Sequence, residues 1–182
     1  MIEAIAKNKV EDLALKRFPQ LSSILEHSEL VGLYFAASWC PMSTPVTSLL
    51  SETFKANMLS MNQKGVASSE DSEQMAQFEI VYVSSDEVVE QMEQYIKPEF
   101  NWRTIPFETD ERTELKRYFQ TCAASEKTAL SVDRQHEIPN LIIIDGRSHA
   151  IISTNAIKEV EMFGVEAFVQ WQQTMMIIRG ME

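Results

Sequence analysis

Cysteine is scarce in this chain, with two thiols among 182 residues. That excludes a disulfide scaffold, the device of small secreted domains whose core is too thin to hold them. Glycine is also scarce, at five, so no Gly-rich loop is available to cradle a phosphate. Positive charge is short: 16 Lys and Arg stand against 27 Asp and Glu, for a formal charge of −11 and a pI near 4.8. A nucleic-acid partner needs clustered Lys and Arg, and an anionic membrane surface needs the same, so neither is expected. No apolar run approaches the ~20 residues of a membrane span. The opening stretch, MIEAIAKNKVEDLALKRF, is charged and amphipathic and lacks the apolar core of a secretory signal. A reducing compartment is the expectation, cytoplasmic and open to the nucleus, with both cysteines as free thiols. Cys40, Cys122, His27 and His136 show none of the ligand spacings of a metal centre, so no metal is expected.

What is present is enough apolar material for a real core, 45% of the residues, in a length that favours one domain. Residues 2–25 have a helical spacing that Pro19 breaks. ELVGLYFAA, 29–37, is a near-continuous apolar run, as in a strand buried on both faces. From Ser43 the period changes, and Val46, Leu49, Leu50, Phe54 and Met58 mark a helix. Residues 62–77 are polar and small, which predicts a loop. FEIVYVSS, 78–85, alternates as a strand does, and Asp86 is placed to cap a helix that Pro98 stops. WRTIPFETDERTE reads as a surface connection in which Trp102 packs, with a short helix over 111–119. Residues 120–137 have no clear period. IPNLIIID, 138–145, is a second buried strand, Gly146 turns it into HAIIST, and 165–173 is amphipathic again, with a methionine-bearing tail beyond. Strands alternating with helices, then a closing hairpin, predict an α/β three-layer sandwich with a mixed central sheet.

The stretch YFAASWCPMSTP places Cys40 where that first strand meets the first long helix. A cysteine just ahead of a helix faces its positive end, where the dipole and unpaired N–H groups favour the nucleophilic thiolate. Pro41 lacks an N–H, which costs little in a first turn. Trp39 covers one side of the sulfur, and Ser43 is placed to donate a hydrogen bond to its thiolate. The plain alternative is that Cys40 is an inert small hydrophobe. Ile138-Pro139 opens the second buried strand, where a proline loses least.

Taken in order, VGLYFAASWCP, VYVSSDE, WRTIPFE, IPNLIIID and TNA resemble the tryparedoxin and nucleoredoxin branch of the thioredoxin superfamily, over about residues 22–172. The resemblance implies a thioredoxin-like three-layer α/β/α sandwich. It implies that Cys40 is the nucleophile and that Pro139 is the cis-proline facing it. The backbone beside that proline would pair with an extended substrate segment, in a groove shaped by Trp39, Pro41, Met42, Ile138 and Pro139. Tyr34 stands where thioredoxins carry a buried acid and tryparedoxins tend to carry tyrosine. The family motif is Trp-Cys-Pro-Pro-Cys, and here Met42 and Ser43 replace its last two residues. The proline that kinks the family's helix further along falls at Ser48. The chain is expected to be one domain, 1–182, with a helical extension at 1–21 and an insertion at 120–137 before the cis-proline strand.

That insertion carries Cys122, a candidate resolving thiol in place of the missing motif cysteine; the alternative is an ordinary loop cysteine. Two functions compete. One is monothiol disulfide exchange through Cys40, supported by Ser43, on protein disulfides or with glutathione as co-substrate, and with no other cofactor. The other is a redox-inactive fold that binds a partner peptide in the groove beside Pro139.

Overall fold

The computed structural model describes residues 9–63 and 76–180. Chain order gives helices α1 (Asp12–Leu15) and α2 (Pro19–Glu26), strand β1 (Ser28–Ala36), helix α3 (Ser43–Gln63), strand β2 (Ala76–Ser84) and helix α4 (Val89–Tyr95). Strand β3 (Arg103–Thr104), helices α5 (Asp110–Tyr118) and α6 (Lys127–Leu130), strands β4 (Asn140–Asp145) and β5 (Ile151–Ser153), and helices α7 (Ala156–Phe163) and α8 (Glu166–Arg179) follow. The sheet order is β3-β2-β1-β4-β5. β1 runs parallel to β2 and antiparallel to β4, so the sheet is mixed.

β1 is central and covered on both faces, which is why its sequence is apolar throughout. The alternation is still there. Val31, Leu33 and Phe35 join Leu21 and Leu25 of α2 and Leu115 of α5 in one buried cluster. Leu30, Tyr34 and Ala36 join Leu50 and Phe54 of α3, Val160 of α7 and Trp171 of α8 in the other. The result is a three-layer, thioredoxin-like α/β fold with helices on both sides. Gly32 falls on the second face. A Cβ there would lie 3.1 Å from the Phe78 ring and 3.1 Å from Leu141. Its absence lets Phe78 sit against β1 while meeting the Phe168 ring edge to face, with ring centroids 4.8 Å apart.

Several segments differ from what their sequence suggests. Pro19 starts a helix, where its missing N–H is harmless, and residues 2–8 of the expected 2–25 helix lie outside the described residues. So does most of the expected loop, since α3 runs to Gln63 and β2 begins at Ala76. Asp86 caps nothing: α4 begins at Val89 with no side-chain cap. The stretch read as a surface connection contributes the edge strand β3 and a fully buried Ile105. α7 is an additional helix, whose exposed Met162 and Phe163 blur its periodicity. The methionine tail continues α8, with Met175 and Ile178 buried. The described N-terminal segment contributes to the core, where Val10, Phe18 and Leu21 are fully buried.

Candidate active site

β1 ends at Ala36, and the chain then makes two turns back to back. Cys40 N–H donates to the Ala37 carbonyl at 3.2 Å, and Ser43 N–H donates to the Cys40 carbonyl at 3.0 Å. The 21-residue helix α3 starts at Ser43. Cys40 thus precedes the helix by three residues, at the end of a long array of aligned peptide dipoles. It is 7% exposed, between Trp39 at 45% and Met42 at 66%. Pro41 occupies the turn between the sulfur and the helix. The first helical turn instead contains Pro45.

Ser43 is fully buried, and its Oγ accepts the Ala37 N–H at 3.4 Å. No hydrogen bond joins it to Cys40 Sγ among the described residues. The expected support of the thiolate is therefore not made in this state, although the Ser43 hydroxyl proton is still available to donate. Ser43 also accepts at its carbonyl from Tyr34 Oη at 3.3 Å. Tyr34 Oη lies 2.8 Å from Thr47 Oγ1, which lies 2.6 Å from Tyr95 Oη. One donor per hydroxyl gives a consistent direction: Tyr95 to Thr47, Thr47 to Tyr34, Tyr34 to Ser43. Burial pushes the Tyr34 phenol far above its ordinary range, despite the Thr47 hydrogen bond, so Tyr34 acts as a neutral donor.

The loop after β2 lies beneath the cysteine loop because β1 and β2 are parallel and end side by side. Asp86 Oδ1 accepts the Ser38 N–H at 2.7 Å, and Oδ2 accepts from Tyr82 Oη at 3.0 Å and Ser84 Oγ at 2.7 Å. Arg112, whose guanidinium lies 3.8 Å from the centre of the Phe107 ring, donates to the Ser84 carbonyl at 3.3 Å. Trp39 Nε1 donates to the Ser85 carbonyl at 3.1 Å.

The Ile138–Pro139 peptide bond is cis. Ile138 packs in the same buried cluster as Cys40. Beside it runs an open groove of about 250 Å³ in which Met42, Ile138 and Pro139 meet Val46, Ile157 and Lys158. Trp39 and Pro41, the chain neighbours of Cys40, are not among its lining residues. Cys122 and Cys40 are both free thiols. Cys122 is fully buried, and burial pushes its thiol up, with the Glu126 carboxylate adding to the shift. Among the described residues no three His, Cys, Asp or Glu side chains gather as a metal site, and no helix is long and apolar enough to cross a membrane.

Sequence reasoning missed Thr47, Tyr95 and Asp86 as supports of the cysteine loop. For Asp86 a signal existed: it follows a predicted strand joined to β1 through one helix, and consecutive strands so joined commonly lie side by side, which brings its carboxylate near the loop that leaves β1.

Residues 28–151 match the thioredoxin-like family. Nucleoredoxin from Xenopus laevis is 32% identical over 133 residues, 72% of this chain and 25% of the relative. The chain therefore spans about a quarter of the length of that curated relative. Tryparedoxin from Trypanosoma brucei superposes with a TM-score of 0.53 at 27% identity, covering 83% of each chain. Tryparedoxin II in complex with glutathionylspermidine superposes with a TM-score of 0.55 at 25% identity, covering 78% of each chain. The ordered strands, the helix that follows Cys40 and these matches agree: the chain belongs to the thioredoxin-like family, with nucleoredoxins and tryparedoxins among its relatives.

Proposed function

We propose that this protein is a monothiol disulfide-exchange protein that works through Cys40. The observation that carries this reading is the position of Cys40, after the end of β1 and ahead of the 21-residue helix α3, in the same buried cluster as Ile138, whose bond to Pro139 is cis. The Cys40 thiolate attacks a substrate disulfide, RS–SR′. A bond forms between Cys40 Sγ and one substrate sulfur, and R′S⁻ leaves and takes up a proton. Ser43 has no sulfur with which to resolve the mixed disulfide. A second thiol, glutathione or a protein thiol, attacks it instead, releasing Cys40 as thiolate and forming a new disulfide outside the protein. Electrons move between substrates, and Cys40 ends as it began.

In this scheme Trp39 and Pro41 flank the sulfur, Ser43 holds the loop and supports the thiolate, and Met42, Ile138 and Pro139 seat the substrate segment. The substrates are protein disulfides or small glutathione-type disulfides, the class suggested by the tryparedoxin complex with glutathionylspermidine. Cys122 is a packing residue in this scheme, on the strength of its full burial. The chain acts as one domain in a reducing compartment, cytoplasmic or nuclear, with residues 120–137 as an insertion and the N-terminal segment as an extension.

A second reading has its own observation. Cys40 is only 7% exposed while Met42 beside it is 66% exposed at an apolar groove, an arrangement that suits binding of an extended peptide without exchange. One experiment separates the two. Cys40→Ser should abolish turnover of a mixed glutathione disulfide in the presence of excess glutathione. Surviving turnover would sink the exchange reading. Absent turnover in both wild type and variant, with equal capture of peptides by each, would favour the binding reading.

A further inference from the structure

Residues 120–137 form a closed excursion. Gln120, in the left-handed region at φ 49°, seals its neck by accepting N–H bonds from Gln135 and His136 at 2.9 and 3.1 Å. Within it, Glu126 is the hub. Its Oε2 accepts the Ala123 N–H at 3.0 Å and the Ser85 Oγ–H at 2.7 Å. Its Oε1 pairs with the ammonium of Lys116, a side chain only 2% exposed.

Ser85 uses all three of its polar groups to join separate segments. Its N–H donates to the Ala36 carbonyl at 2.8 Å, its carbonyl accepts the Trp39 indole N–H at 3.1 Å, and its hydroxyl donates to Glu126. One residue thus ties the end of β1, the indole next to Cys40 and the insertion together. Trp39 is 45% exposed, so much of its ring meets solvent, and the bond to Ser85 is what orients it. An ionised carboxylate suits the hub because it only accepts, and here two oxygens face three donors. A glutamine offers one accepting oxygen and turns an NH₂ toward Lys116 or Ser85.

We propose that Glu126 is a positioning residue for the Cys40 site: through Ser85 it fixes the indole of Trp39, the residue before Cys40, so the insertion shapes the surface that an incoming disulfide meets. The effect on turnover rests on the exchange reading; the pose of Trp39 does not. Glu126→Ala strips Lys116 of its partner and risks unfolding. Ser85→Ala removes only the hydroxyl link, leaving the ion pair and the backbone bonds in place.

The test is the indole ¹⁵N–¹H spectrum, which has three signals, from Trp39, Trp102 and Trp171; Trp39→Phe identifies the first. In Ser85→Ala, and in Glu126→Ala if it folds, the Trp39 signal should shift and its acrylamide quenching rise, while Trp102 and Trp171 hold still. Exchange should fall on the order of tenfold, as for a misplaced substrate-facing group, and Glu126→Gln should restore part of it. An unmoved Trp39 signal in folded Ser85→Ala overturns the proposal. A moved signal with unchanged exchange overturns its functional half. Wild-type protein without exchange would defeat the exchange reading alone, and the indole signal would still decide whether Glu126 holds Trp39.

Discussion

The two ends of the sheet are held by different chemistry. Where β1 delivers Cys40, the buried polar groups gathered around Tyr34, Ser43 and Thr47 are hydroxyls and backbone amides, with Asp86 as the carboxylate beneath them and the Glu126–Lys116 pair reached through Ser85. Where β1 begins and β4 ends, buried charge dominates. Asp145, fully buried, accepts from Arg179 Nε at 3.0 Å and from Ser148 Oγ at 2.6 Å. Glu29 accepts from Arg147 Nη2 at 2.6 Å and pairs with Arg179 at 2.5 Å. The charged end staples the last turn of α8 to the first residues of β1. The hydroxyl end holds a loop in place while leaving its rim in solvent. The lesson is that stability and the proposed chemistry are divided: the ion cluster can be altered without touching the thiol, and the thiol without touching the cluster.

The largest expected effect comes from breaking the charged end. Arg179→Met leaves Asp145 buried and uncompensated, which should cost ~3 kcal/mol or more in urea unfolding. The rate at which folded protein is alkylated at Cys40 should not change. A loss of Cys40 reactivity equal to the loss of stability would erase the division between the two ends.

Acid sharpens the same contrast. Burial pushes the Asp145 and Glu29 carboxyls up, but hydrogen bonds from Arg179, with Ser148 on Asp145 and Arg147 on Glu29, more than reverse this and hold both below the usual carboxylate range. Groups lowered in the folded state contribute stability above their unfolded pKa values of about 4 and lose it as pH falls through the folded values. Wild-type stability should therefore decline below about pH 4, and the decline should be shallower in Arg179→Met, when unfolding free energy is followed against pH.

At the hydroxyl end, Thr47→Val removes the centre of the chain and leaves the buried Tyr34 phenol and the half-buried Tyr95 phenol each a partner short. The expected loss is ~1–2 kcal/mol, smaller than for Arg179 because no charge is stranded. It should bring a measurable change in the Cys40 alkylation rate, since the first turn of α3 loses one of its ties to β1 and keeps only those through Ser43.

Cys122→Ala should have the smallest effect, ~1 kcal/mol, as for removal of a small buried group, with exchange unchanged. Mass spectrometry of the alkylated native protein should find label on Cys40 and none on Cys122 until unfolding. An intramolecular disulfide after mild oxidation would return Cys122 to the role of resolver.

Much of the fold is legible in the sequence because burial on both faces writes itself as unbroken apolar runs. ELVGLYFAA and NLIIID are such runs, and they became β1 and β4, the centre of the sheet. The Trp-Cys-Pro stretch was legible because it lies where the apolar run ends and the helical period begins. Helix α7 was not legible, since its buried stripe is short and Met162 and Phe163 are exposed. Of the groove, Met42, Ile138 and Pro139 could be named in advance, while Lys158 and Ile157 depended on α7.

The sequence by itself determined the layers, the central strands, the place of Cys40 and the absence of a second motif cysteine, because each is a local pattern of polarity or a residue identity. Only the tertiary structure decided how the site is held. Ser38 meets Asp86 across 48 positions, Ser85 meets Glu126 across 41, and Arg179 meets Glu29 across 150. Periodicity specifies which face a residue points to, but it carries nothing about which distant side chain waits there. The partner of a buried polar group is set by the path of the whole chain, and that path is known only once the chain has folded.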